Sequence, residues 1–387
     1  MALASRVTQL PSPIARARPE WSRSQLTFLD GIRGILALAV VLSHGTNLTT
    51  GMHDPAPDWM RLLQALGAFS VPGFIFLSGF CLSLPTIQRG FRLESLLEFF
   101  RRRAARILPA YFAALACAAM AAVYMTHTIP LSALSTVNPD ISGPLLLIQD
   151  FYGSVSYNGP LWSLAPEVHI YLCFPLMLWL FRQIHPVKAA ATCIILACAA
   201  QYFAARCGYP SLSFYLYGIF AVGIYAAWHR VLGKCLPSIR ILKWISSSAC
   251  VLYSILALEI GYARFWEMLP GLSVLECMVL LPVFGLLFQS PTGSLRRCLE
   301  SPVCQFLGRR SYSLYLTHWI IESILLLFIP LSWSAPLRCA LCLLLGVPMC
   351  ILFASLFYRL FEHPYFVFRD SQIRREVVPS LKPLPSP

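Results

Sequence analysis

Residues 29–44 read LDGIRGILALAVVLSH, an apolar run that contains three ionisable side chains, Asp30, Arg33 and His44. The run forms the first part of a segment long enough to cross a bilayer, which takes roughly 20 residues of α-helix. A charged side chain near the bilayer centre costs at least about 2.5–3.5 kcal/mol on insertion scales. Three such groups in one segment therefore indicate a helix face that lies against protein or a wet cavity.

The composition of the whole chain is that of a membrane protein. Its 387 residues are 57% hydrophobic and 12% charged, with a mean hydropathy of +0.66. Soluble domains average about 45–50% apolar and about 25% charged residues. We therefore predict an all-α polytopic membrane protein with about ten transmembrane helices. They correspond to ten apolar blocks, residues 27–48, 65–84, 107–127, 162–181, 187–205, 212–228, 244–260, 272–290, 313–330 and 337–358.

The basic residues predict the orientation. With ten spans and a cytoplasmic amino terminus, 25 of the 30 Lys and Arg residues fall on the cytoplasmic side, four fall outside, and Arg33 lies within the first span. Cytoplasmic loops are enriched in Lys and Arg, so this orientation is favoured. The net charge of +13 thus reflects topology, and we predict no nucleic-acid partner. We predict a transmembrane domain over 27–368 between disordered cytoplasmic tails, 1–26 and 369–387.

The 14 cysteines fall mostly inside the predicted spans, where a thiol acts as a small apolar filler. Cys339 and Cys342 form one CxxC sequence, but no second pair or nearby histidine completes a metal site. We favour packing over a redox or zinc role and predict no metal.

Helical geometry relates the polar groups of the first span. Arg33 and His44 are eleven residues apart, or about 1100°, so they share one face about 16 Å apart along the axis. Asp30 precedes Arg33 by three residues, which is the spacing of an ion pair. We interpret this stripe as lining a cavity, with Arg33 towards the cytoplasm and His44 towards the outside. The alternative is an interfacial ion pair that ends the helix, with His44 reaching outward.

A second basic cluster precedes the third span. In FRLESLLEFFRRRAARILPAY, residues 91–111, Arg103 and Arg106 lie three positions apart. They either anchor the helix to anionic lipid headgroups or bind the phosphate groups of a soluble ligand. In the second span, Ser78 is a candidate cavity hydroxyl.

Two further spans contain carboxylates. Glu167 lies a short way into the fourth span, with Tyr171 one turn later, and either orients a histidine or a substrate hydroxyl or only favours the helix amino terminus. His318 and Glu322 are four residues apart in the ninth span and are expected to hydrogen-bond to each other, as a structural lock or as catalytic groups. Glu362, at the end of the last span, is expected to pair with a cytoplasmic arginine.

Together, these segments resemble the acyltransferase 3 family of multi-pass membrane proteins. FLDGIRGILALAVVLSH (28–44) resembles its opening signature, an Arg and a His separated by ten residues. FIFLSGF (74–80) and RRRAARILPAY (101–111) resemble the second-span motif and the basic RxxR-I-x-P segment. The remaining matches are LWSLAPEVHIYL (161–172), GRRSYSLYLTH (308–318) and the closing FEHPYF (361–366). One departure is Pro166, where a branched apolar residue is expected.

The resemblance implies an enzyme that transfers acyl groups other than aminoacyl groups. The expected donor is acyl-CoA, commonly acetyl-CoA, used as a co-substrate without a permanently bound cofactor. The expected acceptor is a hydroxyl of a glycan, a lipid-linked sugar or a small molecule, and O-acetylation is the implied reaction. We predict His44 as general base, with Arg33 and Glu167 as further catalytic residues, and a donor site of Arg33, Arg103 and Arg106. The predicted supporting residues are Asp30, Ser78, Trp162, Tyr171, Tyr315 and His318.

Two other functions are compatible with buried Arg, Glu and His side chains. A proton-coupled transporter would show the same features, but the chain has no evident internal repeat and the ordered motif set favours an enzyme. An inactive scaffold is disfavoured by the intact Arg33 and His44. We expect the protein in a plasma or inner membrane rather than an endomembrane, and direct transfer rather than an acyl-histidine intermediate.

Overall fold

The computed structural model describes residues 26–50, 56–128, 141–152, 158–209, 211–233 and 237–369. The predicted blocks all fall on long helices, while residues 1–25 and 370–387 of the predicted tails lie outside the described residues. The ten long helices are α1 (Phe28–Thr50), α2 (Asp58–Ile87), α3 (Leu96–Thr128), α4 (Leu164–Gln183), α5 (Pro186–Arg206), α6 (Tyr215–Val231), α7 (Ile239–Ile260), α8 (Leu269–Gln289), α9 (Pro302–Leu326) and α10 (Ala335–Phe357).

Eight helices of the described chain are long and apolar enough to cross a membrane. The other two long helices are α6, which has only 17 residues, and α9, which contains arginines, a histidine and a glutamate. Large apolar side chains are exposed on the outer faces of the bundle, including Leu176 at 66%, Ile195 at 67% and Leu352 at 75%. Such faces suit contact with lipid rather than water. The protein is therefore an all-α, multi-pass membrane protein.

Helices α3 and α10 are longer than the apolar blocks that predicted them. Helix α3 begins at Leu96, so the basic segment is continuous with the span. Arg102 pairs with Glu98 at 2.8 Å, an i,i+4 contact that supports this charged extension. Helix α10 continues through a π-helical turn, Tyr358–Glu362, into helix up to residue 369. Both extensions carry basic side chains beyond the apolar core.

Glycines allow the central helices to approach closely. A Cβ atom on Gly79 of α2 would lie 2.2 Å from the carbonyl oxygen of Phe220 in α6, and one on Gly223 would lie 2.3 Å from that of Phe76. Small residues permit such backbone contact between membrane helices. The crossing holds α2 and α6 together beside α1.

Short helices between α3 and α4 position the start of α4. They are Ser142–Leu146, Gln149–Tyr152 and a 3₁₀ turn, Gly159–Ser163. The Tyr111 hydroxyl of α3 donates to the carbonyl of Pro144 at 2.7 Å, and the Gln149 amide donates to that of Leu161 at 2.8 Å. These bonds fix the polypeptide that leads into α4.

Candidate active site

Helices α1 and α9 pack in parallel through two glycines. A Cβ on Gly308 would lie 2.0 Å from the carbonyl oxygen of Asp30, and one on Gly34 would lie 2.7 Å from the backbone nitrogen of Gly308. The two backbones therefore touch at this level. His44 and His318 each follow ten residues after their glycine. Parallel packing in this register brings the two histidines side by side.

The histidine pair fixes the tautomer of His44. Its Nδ1 lies 2.8 Å from Nε2 of His318, and Nδ1 of His318 lies 3.0 Å from the carbonyl oxygen of Leu314. Because a carbonyl oxygen only accepts, neutral His318 carries its proton on Nδ1 and accepts through Nε2. Neutral His44 then donates its Nδ1 proton and keeps a lone pair on Nε2. The edge of Trp319 packs against the half-buried His44 ring at 5.3 Å.

The predicted hydrogen bond between His318 and Glu322 is not formed. The two ring nitrogens of the fully buried His318 contact His44 and Leu314 instead. Glu322 is also fully buried, and its two carboxylate oxygens have no hydrogen-bond partner among the described residues. The i,i+4 spacing does place both residues on one helix face, but the partner of His318 comes from the neighbouring helix.

A cavity of about 780 Å³ lies at the other end of the α1–α9 pair. Ligand sites commonly have volumes of about 300–1,000 Å³, so this cavity can hold a substrate. The predicted site residues that line it are Asp30, Arg33, Ser78, Arg103, Arg106, Glu167, Tyr171 and Tyr315. Three predicted residues do not line it, namely His44, Trp162 and His318.

Arg33 is held against the cavity wall by two partners. Its Nη1 lies 2.8 Å from Oδ1 of Asp30, which confirms the predicted ion pair. Its Nη2 donates to the Cys81 sulfur of α2 at 3.2 Å. These contacts fix the direction of the guanidinium while its charge remains at the cavity surface.

Arg103 and Arg106 enter the same cavity from α3. Arg106 pairs with the buried Glu362 at 2.7 Å, which confirms the predicted pairing of that carboxylate with an arginine, and Ser313 donates to the other oxygen at 2.6 Å. The Arg106 guanidinium also lies 4.6 Å from the centre of the Phe366 ring. The Nε of Arg103 is buried and has no hydrogen-bond partner among the described residues. This placement favours a ligand-binding role over a lipid anchor.

Glu167 contacts a tyrosine rather than a histidine. The Tyr171 hydroxyl donates to Glu167, and Ser78 lies 2.8 Å from the same hydroxyl. The side chains of Glu167 and Tyr171 line the cavity of about 780 Å³, which also contains the arginines, whereas His44 does not. The structure therefore places Glu167 with the arginines and not beside His44, because an intrahelical neighbour one turn away meets its carboxylate first.

Tyr315 joins α9 to the turn before α4. Its hydroxyl donates to the carbonyl of Pro160 at 2.8 Å and lies 2.5 Å from the Ser163 hydroxyl. Trp162, in the same turn, packs edge-on against Trp266 with a ring distance of 5.7 Å. Tyr315 and Trp162 thus position the turn.

The sequence interpretation missed one wall of the cavity. This wall consists of basic and aromatic residues of α9 and of the extension of α10, namely Arg309, Tyr358, Tyr365, Phe366 and Arg369. Cys81 of α2 also lines the cavity. Two sequence patterns could have predicted this wall, namely the Arg pair in GRRSYS and the aromatic residues of FEHPYF. In the sequence, the arginines indicate only topology, and both segments indicate only the family resemblance.

Comparison with known proteins gives a consistent result. The chain is 26% identical to "Acyltransferase MdmB" of Streptomyces mycarofaciens over 324 residues, 77% of this chain and 79% of that protein. It is 25% identical to "Nodulation protein 10" of Rhizobium leguminosarum bv. viciae over 399 residues, 92% and 98% of the two proteins. No solved structure matches the chain. A family model described as "Acyltransferase domain" matches residues 26–355, which include every predicted site residue. The chain therefore belongs to this acyltransferase 3 family and is a membrane acyltransferase.

Proposed function

We propose that this enzyme transfers an acetyl group from acetyl-CoA to a hydroxyl of a glycan, a lipid-linked sugar or a small molecule. One observation carries the proposal. A cavity lined by arginines ends on helix α1, and the far half of the same helix carries a histidine whose Nε2 keeps its lone pair. The first feature suits an anionic donor, and the second suits a general base.

The charge of the cavity supports a phosphate-bearing donor. Arg33, Arg103 and Arg309 face it, and arginine binds phosphate oxygens through paired N–H groups. The phosphates of CoA would lie against these guanidinium groups. The adenine ring would stack on Tyr365 or Phe366, whose rings line the same wall.

The separation between arginines and base suits a long donor. Arg33 and His44 are about 16 Å apart along α1 by helical geometry. An acyl-CoA carries its phosphates and its thioester at opposite ends of the pantetheine arm. With the phosphates at the arginines, the arm points along α1 and brings the thioester towards His44.

The proposed chemistry is a direct transfer. Nε2 of His44 takes the proton from the acceptor hydroxyl while the oxygen attacks the thioester carbonyl carbon. A carbon–oxygen bond forms, the carbon–sulfur bond breaks, and the CoA sulfur receives the proton from His44. Nε2 of His318 accepts from Nδ1 of His44 and keeps the ring oriented, which makes His318 a positioning residue.

The side of the membrane follows from the charge distribution. Apart from Arg33, which lies within the first span, the cavity arginines belong to the segments that the positive-inside rule assigns to the cytoplasm, where acyl-CoA is found. His44 would then lie towards the outer side. We place both termini in the cytoplasm and the protein in a plasma or inner membrane.

Purified protein in proteoliposomes with doubly labelled acetyl-CoA tests the proposal, with one label in the acetyl group and one in CoA. Water and glycerol serve as acceptors. We expect labelled acetate or acetyl-glycerol together with free CoA. Arg103→Ala should need a higher acetyl-CoA concentration to reach its half-maximal rate. Arg240→Ala, at an exposed position on α7 outside the cavity, is the control. Uptake of intact acetyl-CoA without cleavage would instead support a transporter, and no use of acetyl-CoA would exclude this donor.

A further inference from the structure

A second cavity of about 130 Å³ lies behind the first, across helix α4. Pro166 and His169 line it, whereas Glu167, between them in sequence, lines the donor cavity. The other walls are the short helix Gln149–Tyr152 and the start of α6. One helix thus separates the two cavities.

An unsatisfied carboxylate lies in this second cavity. Asp150 is 5% exposed, and its Oδ2 is 3.5 Å from Nδ1 of His169. Its Oδ1 is buried and has no hydrogen-bond partner among the described residues. Leaving a buried polar group unsatisfied costs about 1–3 kcal/mol, and more for a charged one. The cavity therefore contains a strong acceptor that, within the described part of the chain, lacks a donor.

Apart from Ser213, the remaining lining is aromatic and apolar. Phe151 packs against His169 at 5.9 Å between ring centres, and Phe214 packs against Tyr217 at 5.7 Å. All of these side chains line the cavity. Apolar walls with a few convergent polar groups are typical of small-molecule sites.

The volume limits the size of the ligand. A water molecule needs about 10–15 Å³ of such space, so the cavity holds about ten. A single hexopyranose, with six carbon and six oxygen atoms, is close to this size, whereas a disaccharide is too large.

We propose that the cavity bounded by Asp150 and His169 binds one pyranose ring of a carbohydrate. One ring hydroxyl donates to Oδ1 of Asp150, and a neighbouring hydroxyl bonds to the His169 imidazole. The Phe214 and Tyr217 rings cover the C–H face of the sugar. Its role as a binding site for part of the acceptor rests on the proposed function, whereas sugar binding itself does not.

Equilibrium dialysis of the full-length protein in detergent tests this site. The probes are radiolabelled glucose, galactose, mannose and N-acetylglucosamine, with cyclohexanol as an apolar competitor. We expect wild type to bind at least one sugar and Asp150→Asn to lose about tenfold or more in affinity, the effect of one hydrogen bond to a charged group. Asp58→Asn, at an aspartate whose side chain is 79% exposed, is the matched control and keeps the wild-type affinity.

A second variant covers the case in which Asp150→Asn does not fold. Phe214→Leu removes one aromatic wall and leaves the carboxylate in place, and it is expected to weaken the binding of the same sugar. The inference is wrong if no probe binds wild type at millimolar concentration, if folded Asp150→Asn binds normally, or if cyclohexanol competes equally. Because acetyl-CoA cleavage is measured separately, a wild-type protein that binds no sugar but still cleaves acetyl-CoA refutes this site alone. Sugar binding without cleavage refutes the proposed function alone.

Discussion

The two ends of the α1–α9 helix pair differ in packing and in charge. At one end, Arg33 lines a cavity of about 780 Å³ and is held by Asp30 and Cys81. At the other end, His318 is fully buried and bonds to the half-buried His44, and neither side chain lines this cavity. Binding of a large anion needs space and fixed positive charges, whereas proton transfer needs a fixed tautomer in a packed setting. Substitutions at the two ends should therefore affect different steps.

The largest effect is expected at the histidine end. His44→Gln removes the proposed base, and general-base catalysis contributes about 10²–10⁴-fold to a rate. We expect acetyl-CoA cleavage in detergent to fall by that factor, with the donor concentration at half-maximal rate unchanged. His185→Gln, at an exposed histidine outside the cavity, should retain the wild-type rate. Equal losses in both variants would contradict the assignment.

The register between the two ends depends on the glycine contact. Gly308→Ala would place a Cβ 2.0 Å from the Asp30 carbonyl, so the helices must separate. Overpacking of this kind costs about 1–3 kcal/mol. We expect a lower thermal midpoint in detergent and a reduced cleavage rate. Gly271→Ala, in α8, meets no atom within 4 Å and should leave both unchanged. A normal Gly308→Ala protein would show that the glycine contact does not set the register.

At the arginine end, Cys81 gives a test of cavity occupancy. Among the described residues, Cys81 is the one cysteine that lines the cavity, and its sulfur contacts Arg33. We expect N-ethylmaleimide to inactivate the enzyme and acetyl-CoA to slow this inactivation. Cys81→Ala should resist inactivation. It should lose less than about tenfold in cleavage rate, because a thiol forms only a weak hydrogen bond. The exposed Cys198→Ala should stay sensitive. Inactivation of Cys81→Ala at the wild-type rate would place the reactive thiol elsewhere.

The smallest effect is expected at Glu322, which lies one turn from His318 but whose carboxylate hydrogen-bonds to neither histidine. Because its oxygens have no partner among the described residues, replacing the carboxyl by an amide of similar shape removes no hydrogen bond. We expect Glu322→Gln to keep the cleavage rate within a few-fold and to fold normally. A loss comparable to that of His44→Gln would assign Glu322 to the chemistry and contradict a structural role.

The sequence predicted ion pairs better than it predicted the partners of the other buried polar groups. The Asp30–Arg33 pair and the pairing of Glu362 with an arginine follow from spacing and charge, and both are present. The ten helices follow from hydropathy, and their charged extensions were missed because the blocks were defined by apolar residues.

Contacts that depend on how the helices pack together could not be predicted from the sequence. His318 bonds to His44 because two glycines set the register of α1 and α9, and no local pattern encodes that distance. Glu167 lines the cavity together with residues of α1, α3 and α9, an arrangement that spacing along α4 does not specify. Asp150 and His169 belong to segments that only the fold brings together.

The central claim is that binding and proton transfer are divided along α1. Equilibrium binding of labelled acetyl-CoA to purified wild type, Arg33→Ala and His44→Ala tests it most directly. Loss of one charged hydrogen bond costs about 1.5–3 kcal/mol, or roughly 10–100-fold in affinity. The account predicts that loss for Arg33→Ala and wild-type affinity for His44→Ala. Equal affinity in Arg33→Ala, or an equal loss in His44→Ala, would contradict it.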